Sequence, residues 1–131
     1  MDVAVDTNLV VRYITRDDPV QERKARAVFL EHEIFVPKTV MMETEWVLRF
    51  TYRYTADQIA DALARIIDNE RILVEDSAAT RRALAGFRQG LDFADALHLA
   101  ACGEIETFIT FDKPLFKRAG RVFAKPIVIA P

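Results

Sequence analysis

Cysteine is nearly absent from this chain: Cys102 is the only one. A lone thiol cannot close an internal disulfide, which suits a reducing compartment, and no paired Cys/His spacing for structural zinc is present. Glycine is as sparse, with four residues scattered singly, so there is no Gly-rich phosphate loop. The five prolines are dispersed as well, and no linker composition, internal repeat or low-complexity tract divides the chain. No apolar run approaches the ~18 residues of a membrane span. The opening Met1-Asp2-Val3-Ala4-Val5-Asp6 has no basic n-region and interrupts its apolar residues with acids, unlike a secretory leader. No Ser-His-Asp arrangement stands out, and Cys102 lies in an apolar helical stretch that suits packing better than nucleophilic chemistry. The expectation is a soluble cytoplasmic protein with a single domain over residues 1–131.

What is present reads as an ordinary globular chain. Apolar residues make up 51% and charged residues 29%, which excludes intrinsic disorder. Short apolar runs at Val3–Val5, Ile34–Val36, Ile72–Val74, Thr107–Thr110 and Pro126–Ile129 predict strands. Helical periodicity fills the intervals between them. Asp18-Pro19-Val20-Gln21 and Thr55-Ala56-Asp57-Gln58 are helix-start signatures, and Gly90 marks a helix end. Strands that are apolar throughout and alternate with helices predict an α/β fold with a parallel sheet covered on both faces. Ligands of such sheets bind beyond the carboxyl ends of the strands.

Four acidic motifs stand where a strand or loop hands over to a helix: Asp6-Thr7-Asn8, Glu43-Thr44-Glu45-Trp46, Asp92-Phe93-Ala94-Asp95 with His98 one turn on, and Thr110-Phe111-Asp112. Carboxylates gathered from distant parts of a chain repel one another unless a cation neutralises them. All-oxygen ligands select a hard divalent ion, Mg²⁺ or Mn²⁺, and such sites serve phosphoryl chemistry. Each acid also has a structural explanation. Asp6 and Asp112 can cap helices, although Thr7 could cap in place of Asp6. Asp92 is the better cap of its helix, which leaves Asp95 the better ligand. Glu43 shares a helix face with Trp46 and Val47, an apolar setting that a bare carboxylate tolerates only when paired or metal-bound. Glu45 is expected to face solvent, and Trp46, Phe50, Tyr52 and Tyr54 to pack in the core and at helix ends. Thr110 suits a supporting hydrogen bond to a ligand. His98 reads best as a polar helix-face residue. His32 has no motif around it.

The formal charge of −2 neither requires nor forbids a nucleic-acid partner. With Asp6, Glu43, Asp95 and Asp112 neutralised by metal, 16 acidic side chains remain against 18 Lys and Arg. Arg81, Arg82, Arg88, Lys113, Lys117, Arg118, Arg121 and Lys125 then offer phosphate contacts in the C-terminal part.

The ordered set of motifs over nearly the whole chain resembles the PIN-domain proteins, specifically the VapC-type toxins of type II toxin–antitoxin pairs. The resemblance implies a PIN-like three-layer fold with a central, mostly parallel sheet of four to five short strands flanked by about seven helices. It maps an acidic quartet onto Asp6, Glu43, Asp95 and Asp112, with Asp6 and Asp95 as principal metal ligands and Asp92, Thr7, Asn8 and Thr110 as auxiliaries. The implied activity is a Mg²⁺- or Mn²⁺-dependent endoribonuclease in which a metal-activated water attacks a phosphodiester, leaving 5′-phosphate and 3′-hydroxyl ends. Implied partners are a VapB-like antitoxin, an RNA substrate and a second copy of the chain, with no direct sequence-specific DNA binding. The alternatives are a non-catalytic PIN-like module that grips a protein through its acids, or a hydrolase of small phosphate esters. A phosphatase of the haloacid dehalogenase type also opens with strand and Asp, but it would carry a second Asp where Asn8 stands.

Overall fold

Every strand among the described residues is short, and every one pairs in parallel. The computed structural model describes residues 2–131. Their elements run β1 (Val3–Ala4), α1 (Thr7–Thr15), α2 (Pro19–Glu31), β2 (Ile34–Val36), α3 (Lys38–Phe50), α4 (Ala56–Asp68), β3 (Ile72–Val74), α5 (Ser77–Arg88), α6 (Phe93–Ala100), β4 (Thr107–Ile109), α7 (Lys113–Val122) and β5 (Ile127–Ile129). Seven helices and five strands agree with the expected α/β class. The strands form two ladders among the described residues, in the order β1-β2-β3 and as the pair β4-β5, where one central sheet was expected. Val3 stands opposite Ile34, Ile34 opposite Ile72, and Ile109 opposite Ile129. Parallel neighbours need long crossovers, and helices supply them in each interval. No described helix is long and apolar enough to cross a membrane.

The chain divides into two compact units, the first ending at Ser77 and the second running Ala78–Pro131. In the first, local signals set the helix starts. The carboxylate of Asp18 accepts the N–H groups of Val20 and Gln21 at 3.1 Å each, with Pro19 as the first helical residue. Thr55 and Gln58 cap α4 reciprocally, at 3.2 and 2.9 Å. The strongly amphipathic α4 buries Ile59, Leu63 and Ile66, while Ile34 and Val36 of the central strand are wholly buried. Full burial of each such side chain stabilises the unit by about 1.5–3 kcal/mol.

The expectation for α3 requires correction. Its buried stripe is Met41, Thr44, Glu45 and Leu48, so the face carrying Glu43, Trp46 and Phe50 turns outward. Trp46 is 54% and Phe50 47% exposed, their rings 5.0 Å apart, with the Arg49 guanidinium 4.5 Å from the Phe50 ring. Glu45 is buried rather than solvent-facing. Arg49, one turn on, donates to its two carboxylate oxygens at 2.8 and 3.2 Å, which offsets much of the cost of burying the charge.

In the second unit Phe93, Leu97 and Leu99 are fully buried, and Phe93 meets Phe87 edge to face at 5.8 Å. Two residues past the end of α5, Gly90 adopts φ +102°, a conformation other residues rarely reach.

Candidate metal centre

In the first unit, the site begins where β1 ends. Asp6 has extended backbone angles and caps α1, its Oδ1 accepting the Leu9 N–H at 3.1 Å. Asp6, not Thr7, is therefore the cap. One oxygen suffices for capping, and no described donor reaches the other. Thr7, the first helical residue, is buried, and its hydroxyl donates a hydrogen bond to Oε1 of Glu43. This bond ties Glu43 of α3 to the residue next to Asp6. Glu43 itself is exposed, as is Asn8.

In the second unit, three carboxylates line one cavity of about 280 Å³: those of Asp92, Asp95 and Asp112. Asp92 caps α6, with Oδ2 accepting the backbone N–H of Asp95 at 3.2 Å. Asp112 caps α7 through Oδ1 and the Leu115 N–H at 3.4 Å. Asp95 has no capping duty. Burial, then the negative charges of Asp92 and Asp112, push its pKa above the ordinary carboxylate value, and His98 acts weakly in the opposite sense. Burial is the larger cause; the contribution of the two neighbouring carboxylates is the part that a cation would relieve directly.

Thr110 supports this arrangement through the backbone of Asp112. Its Oγ1 accepts the backbone N–H of Asp112 at 3.0 Å, while its own N–H donates to Ile129 O at 3.0 Å. The turn that presents Asp112 is thus fastened to β5. Arg118 lines the same cavity as the three acids. Along the sequence it stands only among the general phosphate contacts of the C-terminal part, with no local signal that sets it apart. His98 is exposed on α6, as a polar helix-face residue should be.

All the candidate donors are carboxylate oxygens, which fits a hard divalent ion. Within neither unit do three Asp, Glu, His or Cys side chains among the described residues form a ready-made ligand set. The first unit carries Asp6 and Glu43, and the second carries Asp92, Asp95 and Asp112.

The family model described as the PIN domain matches residues 3–122. No individual curated protein matches the chain at a meaningful level. PIN domains are generally nucleases that depend on divalent metal ions such as Mg²⁺. With the match covering all but the ends of the chain, this protein belongs to the PIN domain family.

Proposed function

We propose that this protein is the toxin of a type II toxin–antitoxin pair, of VapC type, and acts as a Mg²⁺- or Mn²⁺-dependent endoribonuclease. The observation that carries the reading is the convergence of Asp92, Asp95 and Asp112 on one cavity, in a chain that also fastens Glu43 next to Asp6. Asp6, Glu43, Asp95 and Asp112 would hold the ion, with Asp6 and Asp95 as principal ligands. When bound, the ion supplies positive charge to the phosphoryl oxygens and lowers the pKa of a coordinated water. The chain's residues do the positioning. Thr7 holds Glu43, Thr110 holds the Asp112 turn, and the Asp92 cap fixes the first turn of the helix that carries Asp95. Arg118 offers a cation to a substrate phosphate near Asp112. The partners in this reading are RNA, a VapB-like antitoxin whose arginine enters the acidic pocket, and a second copy of the chain. DNA recognition falls to the antitoxin.

The test is cleavage of RNA by purified protein. Activity with Mg²⁺ or Mn²⁺ should vanish in excess EDTA and in Asp6→Asn and Asp95→Asn, and the same substitutions should abolish growth arrest on expression. Full cleavage by either variant, or in EDTA, overturns the proposal.

A further inference from the structure

A second cavity, of about 250 Å³, lies between α1 and α2 in the first unit and opens beside Asp6. Its floor is apolar, made by Leu9, Ala25 and Val28, and its rim carries Asn8, Gln21 and Lys24. The set follows from helical spacing: Gln21, Lys24, Ala25 and Val28 share one face of α2, and Asn8 and Leu9 face them from the first turn of α1. Arg12 forms a fixed wall. Its Nε donates to Gln21 Oε1 at 2.7 Å, and Nη1 donates to Asp17 at 3.0 Å and to the Tyr52 hydroxyl at 2.8 Å. Because the Gln21 oxygen is occupied by Arg12, its amide nitrogen is the group left to donate.

We infer that this cavity receives one unpaired base of the RNA, adjacent to the phosphate that Asp6 serves; the inference rests on the ribonuclease reading above. An apolar floor with a few rim groups of fixed direction is how small planar ligands are held. The amides of Asn8 and Gln21 supply the donors and acceptor that a base edge pairs with, as in recognition of splayed single-stranded RNA. Lys24 is exposed on the same rim and forms no ion pair among the described residues, so it is placed for a backbone phosphate. An aliphatic side chain from a protein partner would use the floor but leave Gln21 and Lys24 without a role. A base with its phosphate uses all three features.

The experiment maps cleavage of a randomised single-stranded RNA pool, then measures kcat/KM on the preferred sequence and on the same RNA with one abasic nucleotide beside the cut. Gln21→Leu, Lys24→Ala and Val28→Phe are compared with the unsubstituted protein. The expected result is a base preference at one fixed position from the cut, flattened by Gln21→Leu and by Val28→Phe. On the preferred RNA kcat/KM should fall roughly 3- to 10-fold with Gln21→Leu, and the abasic RNA should show no further loss. Should Val28→Phe fail to fold, the exposed Gln21 and Lys24 variants carry the test. Unchanged preference and rate in those two variants overturn the base site while leaving the nuclease standing. Cleavage unchanged in Val28→Phe with loss of a protein partner also overturns it, because a side chain then fills the cavity. If the unsubstituted protein cleaves no RNA with either metal, both proposals fall together.

Discussion

The hydroxyl of Thr7 donates to Oε1 of Glu43, so a buried residue at the start of α1 governs where the acid of α3 points. Glu43 is exposed and would otherwise sample several rotamers. Thr7→Val keeps the shape of the side chain and removes the donor. Nuclease activity should drop roughly 10- to 100-fold, the scale for partners that orient metal ligands, while Thr7→Ser retains most of it. Steady-state kinetics of the two variants, with thermal melts to confirm folding, check this.

Asp95 yields a pH-dependent prediction for the metal-free protein. Its folded-state pKa is raised, so native protein binds the proton more tightly than unfolded chain does. The associated stability is present below the ordinary carboxylate pKa and lost as pH rises through the folded value. In chelator at neutral pH, Asp95→Asn should therefore melt above the unsubstituted protein, with the gap closing as pH falls through the carboxylate range. Saturating Mn²⁺ should reverse the order, since binding at a hundredfold excess over Kd adds about 2.7 kcal/mol to the form that binds. A gap that widens in acid would contradict the assignment.

Two helical glycines should respond in opposite directions. A methyl at Gly120 in α7 meets no atom within 4 Å, so Gly120→Ala should stabilise by about 0.5–1 kcal/mol. A methyl at Gly86 in α5 would lie 3.1 Å from Cζ of Phe123 and 3.3 Å from both Leu91 and Val122 side chains. Gly86→Ala should destabilise by about 1–3 kcal/mol through overpacking. Denaturant midpoints separate the two.

The sole tryptophan reports on the outward face of α3. Trp46 is half exposed, so its emission should be red-shifted and readily quenched by acrylamide. Trp46→Ala should cost less than about 1 kcal/mol, against about 3–5 kcal/mol for Phe93→Ala in the buried core.

The strand and helix series was legible because apolar runs, capping boxes and the Asp18-Pro19 start are local signals that α4 and α2 obey. The face of α3 was not. Aromatic content pointed to Trp46, but burial followed the Met41–Thr44–Leu48 stripe, and Glu45 could join it only because Arg49 lies one turn away. That compensation depends on side-chain pairing, which periodicity does not report. Among the acids, the capping duty of Asp92 was readable from its position before α6. The Thr7–Glu43 bond spans 36 residues, and the Arg118 cavity depends on the second unit's own packing, so neither could be read along the chain.

Asp6, Asp92 and Asp112 each spend one oxygen on a helix N–H, whatever the other oxygen does. Alanine at these positions would therefore undo a helix start along with any chemistry, at about 0.5–2 kcal/mol apiece. A descendant that abandoned catalysis would still be confined there to side chains that can accept that bond. In a degenerate copy those sites should drift to Asn, Ser or Thr, while the position of Asp95, bound by no such duty, drifts without restraint.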